Sequence, residues 1–420
     1  MKKRDKILLL MVISMILGYL PWYNFSAVSS YIVEDFNLGA GAIGIILSIF
    51  QFGYVITVII TGWMADKIGK KNVVAWATLL TGIFSTLFVW LANGFYSILI
   101  LRLLTGLSAG AIYAPGMALL SDWFPPEERG KAVGAYTGAL TAAYAGGYFV
   151  AAPLASMYSW EMGVLATSVP VFIAAYIMFF LVEEKENGFQ KSKTEKQINK
   201  KTRPAPEGSY KGPTLAVTGY MGHMWELYAF WGWIGPFMVA CSYAVGYSAS
   251  EATVLGGQLA AFIILLGAPA VWILGIIADK WGRVKTILLC SFASLIAEFF
   301  FGYLYGESLT LVVIIGFWIG FWVVADSAIY KATLTEMITI DFTATALGIQ
   351  SAAGYFMTII SPYVFGKILE ITNSGVDKTI MMTNWGLPFV MLGIGALLAP
   401  LSVFILKRIP QSKLLFDGKN

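Results

Sequence analysis

Apolar stretches of about 20 residues or more recur along almost the whole of this 420-residue chain. Each is long enough, as a helix, to cross a hydrocarbon core of about 30 Å. Twelve are found, over residues 6–32, 40–66, 72–94, 96–122, 131–157, 163–183, 213–242, 251–279, 285–306, 308–334, 344–368 and 380–406. With 58% of residues apolar, 12% charged and a mean hydropathy of +0.73, there is more apolar surface than a water-soluble core absorbs. The expected fold is an all-α integral membrane protein with twelve transmembrane helices. The first span runs on through Pro21, Trp22, Tyr23 and Asn24 with no small-residue cleavage site. It is therefore expected to stay in the membrane rather than be removed as a signal peptide.

Charge sidedness supplies an orientation. With the N-terminus on the cytoplasmic side, 24 of the 28 Lys and Arg residues fall in segments that face inward. Only Lys367 and Lys378 fall in outer loops, and Arg102 and Lys331 lie within spans. That asymmetry is the positive-inside pattern, and an even number of spans returns the C-terminus to the same side. The expected location is the cell membrane, with both termini cytoplasmic. Cys241 and Cys290 fall in or at the ends of different spans without metal-ligand spacing, and read as small buried packing residues.

Residues 184–212 are polar, mixed in charge and carry Pro and Gly, so they cannot bury enough surface to fold alone. They read as a cytoplasmic linker between an N-terminal half, 1–183, and a C-terminal half, 213–407, followed by a cytoplasmic tail, 408–420. An internal repeat supports the division. GWMADKIGKK begins at Gly62 and GIIADKWGRVK at Gly275, so that Gly62, Asp66, Gly69 and Lys70 pair with Gly275, Asp279, Gly282 and Arg283 at one offset of 213 residues. At an offset of 214, Asp122 and Gly134 match Glu336 and Gly348.

These motifs resemble those of the major facilitator superfamily of secondary transporters, over the whole chain. The G-x-x-x-D-K-x-G-K-K stretch is similar to its loop signature, and occurs in both halves. Arg102-Leu-Leu-Thr-Gly106 resembles its R-x-x-x-G motif, and Asp122 to Lys131 (DWFPPEERGK), with Asp122 and Arg129, the partner loop. The resemblance implies two pseudo-symmetric six-helix halves around a central cavity, with the substrate near the midplane and the halves rocking around it. Such a transporter works with a small-molecule substrate, protons or another coupling ion, and the lipid bilayer. No nucleic-acid partner, metal or cofactor is expected, and a monomer is. Lys70 or Lys71 is placed to pair with Asp122, and Asp66 to sit near a helix N-terminus of the other half, where the macrodipole favours an anion. Each such contact contributes about 0.3–1 kcal/mol. Together they form a candidate latch on a two-state equilibrium; the plainer reading is a tight turn that retains topology.

Ionisable groups inside a bilayer cost several kcal/mol and so are functional candidates. They are Arg102 in span four, His223 and Glu226 in span seven, Glu298 in span nine, and Asp326 and Lys331 in span ten. The resemblance puts spans one, four, seven and ten around the cavity. His223 and Glu226 are three residues apart and share a helix face. Low dielectric disfavours a charged carboxyl, so Glu226 is a candidate proton carrier, with the chain's one histidine beside it to share or relay the proton. A satisfied Glu–His packing pair is the competing reading. Asp326 is expected in the cavity, whereas Lys331, about 140° further round the helix, is expected towards Glu298 or snorkelling to the surface. Glu298 reads as a structural partner, and Arg102 leans to coupling over substrate contact. Trp231 and Trp233 read as interface or packing residues, and Tyr23, Asn24, Tyr113, Tyr136, Tyr144, Gln350 and Tyr355 as candidate pocket residues.

Span five lacks the Gly-Pro pair of drug/proton antiporters and the Gly-Asn signature of nitrate porters, and spans two and eight carry no arginine for a small inorganic anion. The signatures of sugar porters are also missing. Cationic candidates (Arg102, Lys331), protonatable groups and many aromatics suit proton-coupled uptake of a small organic anion such as a carboxylate. Proton-driven export of an amphipathic compound is the alternative. An enzyme would need a nucleophile, metal cluster or phosphate loop, and none is legible.

Overall fold

A computed structural model describes residues 2–185, 210–338, 342–376 and 378–418. Most of the expected linker lies outside the described residues. Among the described residues twelve long helical spans follow one another: α1 Lys3–Phe36, α2 Ala40–Ile68, α3 Lys70–Leu91, α4 Phe95–Ser121, α5 Pro126–Met157, α6 Trp160–Leu181, α7 Lys211–Ala244, α8 Ala249–Trp281, α9 Arg283–Leu304, α10 Leu309–Glu336, α11 Thr343–Thr372 and α12 Gly386–Arg408. Among the described residues, ten of these are long and apolar enough to cross a membrane. The other two, α5 and α7, are helices of 32 and 34 residues, each roughly 50 Å long. α5 is built largely of Gly, Ala and Tyr, and α7 carries its His and Glu in mid-helix, so both are less apolar per residue than their neighbours.

By packing, the chain forms two compact units. The first takes α1 to α6 together with Ile234–Ala261, which is the end of α7 and the start of α8, and Val376–Met381. The second takes α7 up to Trp233, Phe262–Gly375 and the chain from Met382. Within the described residues the units therefore also exchange chain inside α7 and α8. Small residues explain the allegiance of Ile234–Ala261 to the first unit. A Cβ on Gly235 would stand 2.2 Å from Tyr148, and one on Gly257 2.3 Å from the Cβ of Ala152. The Oγ atoms of Ser156 and Ser250 meet at 2.5 Å, and Lys378 pairs with Glu34.

Within each unit the repeat extends from the loops into the core. A Cβ on Gly106 of α4 would lie 2.1 Å from the carbonyl oxygen of Phe50 on α2. A Cβ on Gly320 of α10 would lie 2.2 Å from that of Ile263 on α8. The two glycines are 214 residues apart and the two carbonyls 213, the same offsets as the loop motifs. Only hydrogen at these positions lets the backbones touch, and close backbone approach is how helices associate where lipid removes the hydrophobic drive. Gly106→Ala is accordingly expected to lower stability by about 1–3 kcal/mol, through backbone displacement. Gly138→Ala, on a face of α5 with nothing within 4 Å, should not. Thermal unfolding of the two purified variants checks the difference.

Candidate functional site

The helices that carry the ionisable residues are not all continuous. α1 is interrupted by a 3-10 turn at Leu20–Trp22, which contains Pro21. α4 is interrupted between Ala109 and Tyr113, and α10 between Trp322 and Ser327. The interruptions of α4 and α10 coincide at the 214-residue offset. An interrupted helix leaves carbonyl and amide groups without intrahelical partners, which hydrocarbon cannot satisfy.

In the second unit the interruption of α10 ends on Asp326, whose carboxylate Oδ1 lies 2.8 Å from Nδ1 of His223 on α7. The other ring nitrogen, Nε2, lies 2.6 Å from the hydroxyl of Ser327. Ser291 of α9 donates to Oδ2 of Asp326 at 3.4 Å. His223 and Asp326 are both buried, so Asp326 faces the interior of its unit. The partner of His223 is thus Asp326 and not Glu226, because the α10 interruption brings the carboxylate to the ring and both ring nitrogens are then occupied. Glu226 is buried one turn further along α7, with Oε1 lacking a hydrogen-bond partner. Lys331 is exposed and makes no ion pair among the described residues, with Glu298 or otherwise. Gln350 is buried and donates to the carbonyl of Tyr330 at 3.2 Å. Tyr355 is partly buried against Tyr228. Trp231 and Trp233 are both buried; Trp233 donates to the carbonyl of Pro362 at 3.0 Å and stacks on Phe365, a packing role and not a lipid-interface one.

In the first unit Arg102 is buried and reaches the interruption of α1. Nη1 donates to the carbonyl of Pro21 at 3.3 Å and Nη2 to that of Trp22 at 3.1 Å. Its guanidinium lies 4.4 Å from the ring centre of Phe50. A planar fork suits two adjacent carbonyls, and a cation suits the negative end of a helix segment. Tyr19 returns the favour, donating its hydroxyl to the carbonyl of Ala109 at 3.0 Å, where α4 is interrupted. Asn24 is buried and donates to Thr167 at 2.9 Å. Tyr23 and Tyr144 are buried in one aromatic cluster with Tyr19 and Trp22. Tyr136 is buried with its ring stacked on that of Tyr113, which is partly exposed and shares a hydrogen bond with Thr137. Of the proposed pocket residues in this unit, Tyr113 is the one not fully enclosed.

At the turn between α2 and α3, Lys70 Nζ lies 2.5 Å from Asp122 Oδ2. Lys71 offers its backbone amide, at 3.2 Å, to the carboxylate of Glu184, which also takes the amide of Lys70 at 3.0 Å. Glu184 thereby caps the N-terminus of α3, where a carboxylate is favoured by both free amides and dipole. Gly69 has φ +86°, and a Cβ there would stand 2.9 Å from the Glu184 carboxylate. In the second unit Arg283 bridges Asp279 at 2.6 Å and Glu336 at 3.1 Å. Gly62 and Gly275 have nothing within 4 Å of a Cβ. The side chains of Asp66 and Arg129 lie outside the described residues. Sequence reading missed Glu184; the available signal was an acidic pair, Glu183-Glu184, at the foot of an apolar span.

Comparison with known proteins places these features. The profile of the Major Facilitator Superfamily matches residues 11–362. The hexuronate transporter of Bacillus subtilis (strain 168) is 24% identical over 393 residues, covering 89% of this chain and 90% of that protein. The D-galactonate transporter of Escherichia coli O6:H1 (strain CFT073) is 29% identical over 140 residues, covering 32% of this chain and 31% of its own. In fold, the chain is similar to a bacterial homolog of the human lysosomal transporter Spinster, in an inward-facing and unoccupied conformation. The TM-score is 0.77, with 15% identity over 97% of each chain.

The fork of Arg102 on two carbonyls is the most exacting geometry in the first unit. Arg102→Lys keeps the charge but reaches one carbonyl at most, and is expected to cost about 1.5–3 kcal/mol, the worth of one hydrogen bond to a charged group. Thermal unfolding against wild type reads this directly, and an unchanged midpoint would sink the assignment.

Proposed function

Because this chain belongs to the Major Facilitator Superfamily of membrane transporters, we propose that it takes up a small organic anion, of the sugar-acid class, together with protons. The observation that carries the reading is the buried set His223, Asp326 and Glu226 at the interruption of α10. Protonatable groups held inside a bilayer-spanning unit cost stability and serve ion movement. The printed names of two relatives, a hexuronate and a D-galactonate transporter, support the anion class, since both cargoes are sugar carboxylates. Lys331, exposed and without an ion pair among the described residues, is the cation proposed to meet the cargo carboxylate, with Tyr113 and Tyr355 beside the path. Arg102 is proposed to serve coupling, since its fork is already engaged by α1. Tyr23, Asn24, Tyr136, Tyr144 and Gln350 are proposed to shape the pocket from behind.

Alternating access supplies the cycle. Asp66, Lys70, Lys71, Asp122 and Arg129, with Gly62 and their repeat partners Gly275, Asp279 and Arg283, are proposed to bias its two states. Termini on the cytoplasmic side and a monomeric state complete the proposal.

In liposomes with an imposed inside-alkaline gradient, labelled D-glucuronate or D-galactonate should accumulate above equilibrium, and Glu226→Gln should abolish the accumulation. Uptake indifferent to the gradient would falsify proton coupling. Lys331→Gln should raise KM about tenfold, the loss of one charge-assisted contact, with kcat less affected. Asp66→Asn at normal surface expression should slow turnover, and unchanged rates would remove the latch.

A further inference from the structure

Glu298 stands on α9, a helix that the resemblance does not place around a cavity, yet it is the most deeply enclosed acid among the described residues of the second unit. Helical spacing fixes what it faces. Ser291 of α9 reaches Asp326 on α10, and Phe301 of α9 meets Phe230 on α7, their ring centres 6.3 Å apart. Ser291, Ser294, Glu298 and Phe301 follow one another at three- and four-residue steps along one face of α9. Glu226 precedes Phe230 by one turn of α7 in the same way, so the two carboxyls are brought together between the serines and the phenylalanines. The same spacing puts Ser294 one turn from Glu298 on that face.

Oε1 of Glu226 and both oxygens of Glu298 lack a geometrically complete hydrogen bond. Carboxylate oxygens only accept, so these two groups satisfy one another only when one of them carries a proton to donate. His223 cannot neutralise this pair, because Asp326 and Ser327 hold its two nitrogens. The other titratable groups around the pair are Asp326 and Tyr330 on α10 and Cys290 on α9. α12, packed on α9, brings no titratable side chain between Gly386 and Leu406. α8 carries Glu251, Asp279 and Lys280 and α11 carries Tyr355, Tyr363, Lys367 and Glu370, none of which is among the groups that act on the pair. Two carboxyls set side by side in low dielectric are not both ionised, so such a pair holds at least one proton and titrates as a unit.

We propose that Glu298 is a positioning residue for proton exchange: it keeps its own proton and donates that O–H to the Glu226 carboxylate, which takes up and releases the exchanged proton. Glu226 gains a proton from water on one side and returns it on the other, while the proton of Glu298 never leaves. The link to uptake rests on the proton-coupled reading above; the carboxyl pair itself does not.

Infrared difference spectra of the full chain in liposomes, recorded against pH, test it. A protonated-carboxyl band should titrate, and should shift on labelling with 13C-glutamate, which separates Glu from Asp326 without any substitution. Glu226→Gln should abolish the titrating band. Glu298→Gln, a neutral donor of the same shape, should leave the pH of that transition within a few tenths of a unit. Glu298→Leu, which cannot donate, should move it by about one unit or more, the worth of a charge-assisted hydrogen bond. A transition at the same pH in Glu298→Leu, or no glutamate band in the wild type, overturns the proposal. Uptake of labelled D-glucuronate in the same vesicles separates the two readings. A glutamate transition that responds to position 298 with uptake indifferent to the gradient removes coupling and keeps the pair. Gradient-driven uptake with a transition that ignores position 298 removes the pair and keeps coupling.

Discussion

Hydrocarbon offers a peptide group nothing to bond to, and every irregularity in these helices has to be satisfied from within the protein. The interruptions of α1, α4 and α10 meet that demand with side chains. Arg102 takes the carbonyls of Pro21 and Trp22, and Tyr19 that of Ala109. At α10 the freed position is occupied by Asp326, held by His223 and Ser291. Arg102 and Asp326 thus meet the broken backbone, where a charge and an unpaired backbone dipole reduce each other's cost, whereas Glu226 and Glu298 lie in unbroken stretches of α7 and α9.

That constraint explains how the repeat is distributed. Gly106 and Gly320 keep the same backbone-to-backbone contact in both units, and α4 and α10 break at equivalent positions. The frame is common because a close approach admits only hydrogen, which leaves little freedom for substitution. The groups that answer the breaks are free to differ. At the offset of 214 Asp326 corresponds to Ile112 and Arg102 to Gly316, so one unit carries a buried cation where the other carries none, and the reverse holds for the acids.

Twelve spans, the repeated loops and the family resemblance were legible because hydropathy and turn chemistry are local properties. The ionisable candidates were legible for the same reason: a charge in an apolar run stands out whatever it touches. Their partners were not. His223 and Glu226 share a face of α7, and periodicity paired them. The interruption of α10, which no proline or glycine in Val323–Asp326 announces, carries Asp326 to the imidazole instead. Glu298 reads as a structural partner, and which partner depends on the face of α9 that meets α7, which the sequence does not show. Glu184 escaped notice since its partners are backbone amides, which have no sequence signature. Asn24 and Gln350 are pocket candidates because they lie within central spans, and each donates its amide to a neighbour inside its own unit, which no periodicity reveals.

The division of charge between the units has an energetic consequence for the proposed transport. A buried cation such as Arg102 and a buried acid such as Glu226, placed in contact, would neutralise one another, and neither would respond to a passing proton or anion. Held in different units, each is answered locally, the cation by carbonyl dipoles and, in the proposed cycle, the acid by a proton. The carbonyls of α1 cannot be exchanged, so Arg102 is a fixed charge, while the proposed proton at Glu226 would make that site the variable one. A transporter that moves an anion with a proton needs one group whose charge changes with occupancy and a frame that does not change with it. The shared glycine contacts provide the frame in both units, and the acids of α7 and α9 put the variable charge in one.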